Sequence, residues 1–152
     1  MATITVGANS YVTESELQTY ADDRGATISA ADKSTLLIQA MDYLETRNYR
    51  GEKTDDTQAL EWPRSGIAAI DESTVPQKIK DAQMTLALIY DGGGDPLGEI
   101  GRRVTQETVE GAVSVSYSDK GNQSTLYPKL TALLQGLLAS GSGGGSFAVV
   151  RA

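Results

Sequence analysis

The 152-residue chain contains no cysteine and no histidine. Without cysteine it forms no disulfide and no thiolate metal site, and the redox compartment is left open. Without histidine it loses the usual general base near neutral pH, the Ser-His and Cys-His nucleophile pairs, and most zinc and iron sites. Catalysis would have to rest on carboxylates, lysine or tyrosine. No apolar run reaches the length of a membrane span, and the start, Met1-Ala-Thr-Ile-Thr-Val6, lacks the basic and apolar regions of a signal peptide. The expectation is a soluble protein made in the cytoplasm. Positive charge is scarce as well: 13 Lys and Arg face 20 Asp and Glu, a net charge of -7. That balance argues against tight, sequence-independent binding to nucleic acid, which needs clustered cations to displace counterions. It leaves room for transient passage of DNA past an acidic surface.

The length suits one domain with a modest core. Residues 1–140 read as a helical domain, and residues 141–152 as a glycine hinge with a C-terminal arm. Thr13 and Glu16 form a capping box and Val12 can staple onto Leu17, which predicts a helix from about Glu14 to Arg24 ended by Gly25. Ser29 and Asp32 open a second helix, with Leu37, Ala40, Met41 and Leu44 at helical spacing as far as Arg47. From Asn48 to Thr74 periodicity gives way to turn formers, a long loop with room for one turn of helix. The only tryptophan, Trp62, lies there before Pro63, which restricts it to extended backbone. It can anchor the loop on the core or sit at a subunit contact; burial of the large ring favours the core.

Pro76 begins a third helix with the stripe Ile79, Ala82, Leu86, Ile89 and Tyr90, broken at Asp91 to Pro96. Residues 102–117 read as a β-hairpin, with Val113, Val115 and Tyr117 alternating with serines and a turn at Glu110-Gly111. A lone hairpin is marginal in water, so it should pack on the helices, a neighbouring subunit or a partner. Leu130, Leu133, Leu134, Leu137 and Leu138 mark a fourth helix beginning near Tyr127-Pro128. The fold class is mainly α: a small four-helix domain with a long Trp-Pro loop, a hairpin inserted before the last helix, and an extended C-terminal arm.

Little of this carries chemistry. The acidic pairs Asp22-Asp23 and Asp55-Asp56 and the Asp91 to Asp95 loop lack the alternating ligands of an EF-hand and read as solvated turns and helix ends. The glycine-rich segments lack a P-loop ending, and no serine lies in a nucleophile elbow. No catalytic, cofactor-binding or metal residues are assigned, and the expectation is a protein that is not an enzyme. Arg47-Asn48-Tyr49-Arg50 and Trp62-Pro63-Arg64 combine cations with aromatics in the manner of single-strand binders. Against the net charge, these arginines read mainly as partners for carboxylates, on this subunit or across an interface. In the tail, Gly141 to Ser146 fixes no backbone conformation, so Phe147, Val149 and Val150 can reach beyond the domain, the alternative being a frayed end.

Three segments carry a family resemblance: Ser10-Tyr11-Val12-Thr13, Gln58-Ala-Leu-Glu-Trp62-Pro63-Arg64-Ser-Gly66, and Val75-Pro76-Gln77-Lys-Ile-Lys-Asp-Ala82-Gln83. With the order of elements around them, they resemble the tailed-bacteriophage head-tail connector (adaptor) proteins, many of which carry a DnaT-like single-stranded-DNA-binding description. The resemblance implies a structural virion protein at the neck, a ring, expected to be a dodecamer of neighbouring copies, beneath the portal protein. Such a ring extends the DNA channel, lets genomic double-stranded DNA pass without specific binding, and carries the downstream neck or tail completion protein. It also implies that Phe147, Val149, Val150 and Arg151 dock on the portal or an adjacent subunit, with Trp62, Pro63 and Arg64 as loop anchor or interface. The alternative is a DnaT-like single-stranded-DNA-binding replication accessory protein.

Overall fold

Thr13 accepts the Glu16 N–H and Glu16 returns a bond to the Thr13 N–H, closing the capping box of α1, Glu14–Asp22. The helix is two residues shorter than the spacing predicts. Gly25 takes a left-handed φ of 64°, and the Ala26 N–H reaches back to the Ala21 carbonyl at 2.9 Å, a glycine C-cap that ends the helix. Asp32 caps α2, Lys33–Glu45, by accepting the Thr35 N–H. Pro76 precedes α3, Gln77–Asp91, and Pro128 opens α4, Pro128–Leu134. The computed structural model describes residues 2–97, 104–110, 112–117 and 127–140. Among these the architecture is mainly α, as the sequence predicts.

Helix α2 packs on α3, α3 on α4, and α1 against both α2 and α3. Leu17, Leu37, Leu44, Ile79, Leu86 and Leu130 are the large side chains wholly withdrawn from water at the centre. Each such burial contributes roughly 1.5–3 kcal/mol of transfer free energy, so these helices are held by their shared core more than by local propensity. Polar side chains sit in that core too, Gln83 and Ser10 both wholly withdrawn from water. Gln83, fully buried, accepts the Tyr11 N–H at 3.0 Å and donates to Ser10 Oγ at 2.8 Å and to the Leu37 carbonyl at 3.2 Å. It ties the N-terminal segment, α2 and α3 together. Ser34 Oγ donates to Glu14 and joins the starts of α1 and α2.

Two elements depart from the sequence pattern. The leucine period continues through Leu138, but Gly136 at φ 85° turns the chain after α4. Leu137 stays buried while Leu138 forms an antiparallel bridge with Tyr49. The Arg50 N–H donates to the Leu137 carbonyl and the Ala139 N–H to the Asn48 carbonyl, both at 2.9 Å. In the long loop, a two-residue antiparallel ladder, β1 Glu52–Lys53 with β2 Arg64–Ser65, replaces the single helical turn. The hairpin forms as β3 Val104–Glu110 and β4 Ala112–Tyr117, paired from Glu110↔Ala112 to Val104↔Tyr117 with an irregularity between Val104 and Gln106.

Candidate nucleic-acid interface

The Trp-Pro-Arg loop is turned inward. Trp62 is 2% exposed, and its ring meets Tyr49 edge to face at 5.5 Å and 72°. The Trp62 backbone N–H donates to the Tyr11 hydroxyl, which donates to Glu45 Oε1 at 2.9 Å; Glu45 also accepts the Glu61 N–H. Burial pushes the Tyr11 and Tyr49 hydroxyls far above the usual phenol range and raises Glu45 as well. Arg64, 8% exposed, donates Nε to the Arg50 carbonyl at 2.8 Å, Nη2 to the Gly51 carbonyl at 2.7 Å, and Nη1 to Glu61 Oε2 at 2.6 Å. Pro63 is half-buried and its carbonyl accepts from Gln58. A base cannot stack on a ring whose surface is already covered, so Tyr49 and Trp62 hold the loop to the core. Phe147, Val149, Val150 and Arg151 lie outside the described residues.

The cations divide sharply. Among the described residues the ion pairs are Lys53–Glu61 and Arg64–Glu61, both on one carboxylate. Arg50 instead donates to the Gly136 carbonyl, and Arg47 lies over the Tyr43 ring at 4.3 Å. Arg24 lies over Tyr20 at 3.5 Å and donates to the Tyr20 carbonyl. The Lys129 ammonium, from the first turn of α4, is 5.3 Å from the same ring. Arg24 and Lys129 are exposed, whereas the Tyr20 ring that both approach is 6% exposed, so the two cations, and not the ring, meet solvent at this place.

Three aromatics keep an accessible surface while packing on the core: Tyr43 on α2, Tyr90 near the end of α3, and Tyr127 just before α4. Burial raises the Tyr90 hydroxyl, with Asp95, Asp42, Tyr127 and Tyr43 adding their fields, so Tyr43 and Tyr127 both lie within electrostatic reach of it. None of these three stands out from the periodicity, because Tyr90 fits the apolar stripe and the others carry no motif. The signal lay in spacing: Tyr20 to Arg24 and Tyr43 to Arg47 repeat Tyr-x-x-x-Arg across a helix end, and each arginine, just past its helix, folds back over the ring in the last turn.

Several acidic residues are spent on hydrogen bonds within the fold. Asp91 accepts the Ser29 and Ala30 N–H groups, Asp55 the Thr57 N–H and hydroxyl, and Asp71 the Ser73 N–H and hydroxyl, and these bonds lower their carboxyls. No group of three or more metal-binding side chains is gathered among the described residues. A groove of about 410 Å³ between α1 and α3 mixes Arg24 and Lys80 with Glu16, Asp23 and Asp81, which leaves it without a dominant charge.

No curated protein and no solved structure matches the chain. The family model that matches covers residues 2–152 and is described as "Putative DnaT-like ssDNA binding protein". It is not a head-tail connector family, and it overturns the expected bacteriophage connector identity, with its ring beneath the portal, its neck or tail partner and its channel for unbound duplex DNA. The physical reason is visible in the three segments that carried the resemblance: Ser10, Tyr11, Trp62, Arg64 and Gln83 bond to one another or to backbone inside the fold. Segments of that kind specify a fold and leave the partner open. Matched along nearly its whole length, the chain belongs to the DnaT-like single-stranded-DNA-binding family.

Proposed function

We propose that this protein binds single-stranded DNA as a non-catalytic accessory. The observation that carries the reading is the family match over residues 2–152. Single-strand binders combine cations that track the backbone with aromatic faces for the bases. Arg24, Arg47 and Lys129, outside ion pairs, and the half-buried Tyr43, Tyr90 and Tyr127 supply both kinds of group.

The net charge of -7 shapes how such binding works. Few phosphates are neutralised, so base stacking carries most of the affinity and salt weakens the complex only modestly. With two or three phosphate contacts, the slope of log affinity against log salt is about -1.4 to -2 for a single strand. Fluorescence anisotropy of a labelled oligothymidylate titrated with the whole protein over a salt series reads this directly. The expected result is binding with that shallow slope, weaker binding to a duplex of the same length, and recovery of the oligonucleotide unchanged. Absence of binding at low salt overturns the proposal.

A further inference from the structure

Helix α4 lies between two cation-aromatic pairs. At its start, Tyr127 Oη lies within 3.1 Å of where a Cβ on Gly94 would stand, which places that end beside the turn closing α3. Two residues on, Lys129 shares the Tyr20 ring with Arg24. After its far end, the Gly136 carbonyl accepts from Arg50 and the Leu137 carbonyl from the Arg50 N–H, which places that end beside the chain leaving α2. There Arg47 covers Tyr43. Tyr90 stands at the same turn, its carbonyl accepting the Gly93 N–H at 3.0 Å beside the Gly94 that Tyr127 reaches, and Tyr127 and Tyr43 both act on its hydroxyl.

The geometry points to a single-strand track along α4: phosphates held by Arg24 and Lys129 at one end and Arg47 at the other, bases stacked on Tyr127, on Tyr90 and on the outer face of the guanidinium that covers Tyr43. This assignment rests on the proposed single-strand binding and adds the residues and the direction of the strand. The seven residues of α4 span about 10 Å at 1.5 Å per residue, room for roughly three stacked nucleotides at about 3.4 Å each. Three stacking surfaces match that number. Arg47 strengthens its end, because a guanidinium lying on a ring offers a second planar surface as well as a charge.

The acids beside the row are part of the design. Asp42 is exposed on α2, and Asp95 follows α3; both act on Tyr90. They disfavour phosphate over the tyrosines and leave the cation pairs at the two ends as the places where the backbone is held. Removing the charge of Asp42 therefore strengthens binding, an outcome that a purely structural role for this face does not produce.

The test uses anisotropy of a labelled oligothymidylate of about 20 nucleotides, longer than one site. Wild type is compared with Lys129→Gln/Arg47→Gln, Tyr127→Leu, Tyr43→Leu and Asp42→Asn, each checked for folding by circular dichroism. Each tyrosine variant is expected to lose at least about fivefold in affinity. The double charge variant is expected to flatten the salt slope by about 1.4. Asp42→Asn is expected to bind more tightly. If wild type binds and all variants match it, the track is wrong while single-strand binding stands. If wild type does not bind, both fall. Should a tyrosine variant unfold, Asp42→Asn and the single variant Lys129→Gln decide alone, since both residues are exposed and neither substitution removes a buried group.

Discussion

Arg64 shows how far one side chain can set a loop. Its guanidinium reaches the carbonyls of Arg50 and Gly51 and both the carbonyl and the carboxylate of Glu61, joining three parts of the 49–66 segment from a position 8% exposed. Gly51 adopts φ 71°, and the site where a side chain would begin is occupied by the Ser65 carbonyl, so only glycine brings β1 this close to β2. Lysine offers one compact ammonium in place of the planar fork and leaves at least one buried carbonyl without a donor. Arg64→Lys is expected to destabilise the protein by about 2–4 kcal/mol, from lost charge-assisted bonds at about 1.5–3 kcal/mol each with partial rescue. Urea unfolding by tryptophan fluorescence reads the change at Trp62. The folded variant should retain single-strand affinity, because Arg64 is buried in the loop and its donors are engaged there. A loss of affinity with unchanged stability contradicts the structural role given to it here.

At the scale of elements, the junction around Gln83 matters most. Its side chain satisfies the Tyr11 N–H, Ser10 and the Leu37 carbonyl inside a region closed to water. Gln83→Leu has nearly the same volume but withdraws these partners together, leaving buried polar groups unpaired. The expected cost is about 2–4 kcal/mol, seen as a lower urea midpoint with far-ultraviolet helicity retained. A midpoint at the wild-type value would show that water or a shifted chain replaces the glutamine. Helix starts were legible because caps are local: Thr13 with Glu16, Asp32, Pro76 and Pro128 each lie within three residues of the group they serve or open the helix directly. The β1–β2 ladder was not, since it depends on Arg64 bonding to carbonyls 13 and 14 residues away. The last turn of α4 was overextended because leucine spacing records burial and not backbone, and Leu137 remains buried outside the helix. The candidate interface was half legible. Arg47 was singled out beside Tyr49, whereas its actual partner is Tyr43, four residues earlier on α2.

For the whole molecule, the titrating groups fall into opposing sets, and their signs give the pH profile. Burial holds Tyr11, Tyr49 and Tyr90 above the ordinary 10.0, so the unfolded chain releases those protons first. Their stabilisation is complete below pH 10.0 and is lost as pH rises through the folded values. Glu45, raised above 4.5 by burial, behaves likewise: its contribution is present below 4.5 and lost as pH climbs through its folded value. Asp32, Asp55, Asp71 and Asp91 are lowered below 3.8 by hydrogen bonds, so they stabilise above 3.8 and lose that effect as pH falls through their folded values. These four lie near the surface, where solvent and salt screen them, so the acid limb is shallow. Tyr11 and Tyr49 are buried, and above pH 10 an already acidic chain gains further negative charge, so the alkaline limb is steep. Thermal melts followed by circular dichroism should show Tm steady or slightly rising from neutral pH towards 4.5, a gentle fall below 3.8 and a sharp fall above 10. Tyr11→Phe lowers Tm at neutral pH, because the hydroxyl bonds Glu45 and accepts from Trp62, and it makes the alkaline fall less steep. An alkaline limb of unchanged slope in that variant would assign the loss to general charge repulsion and not to the buried phenol.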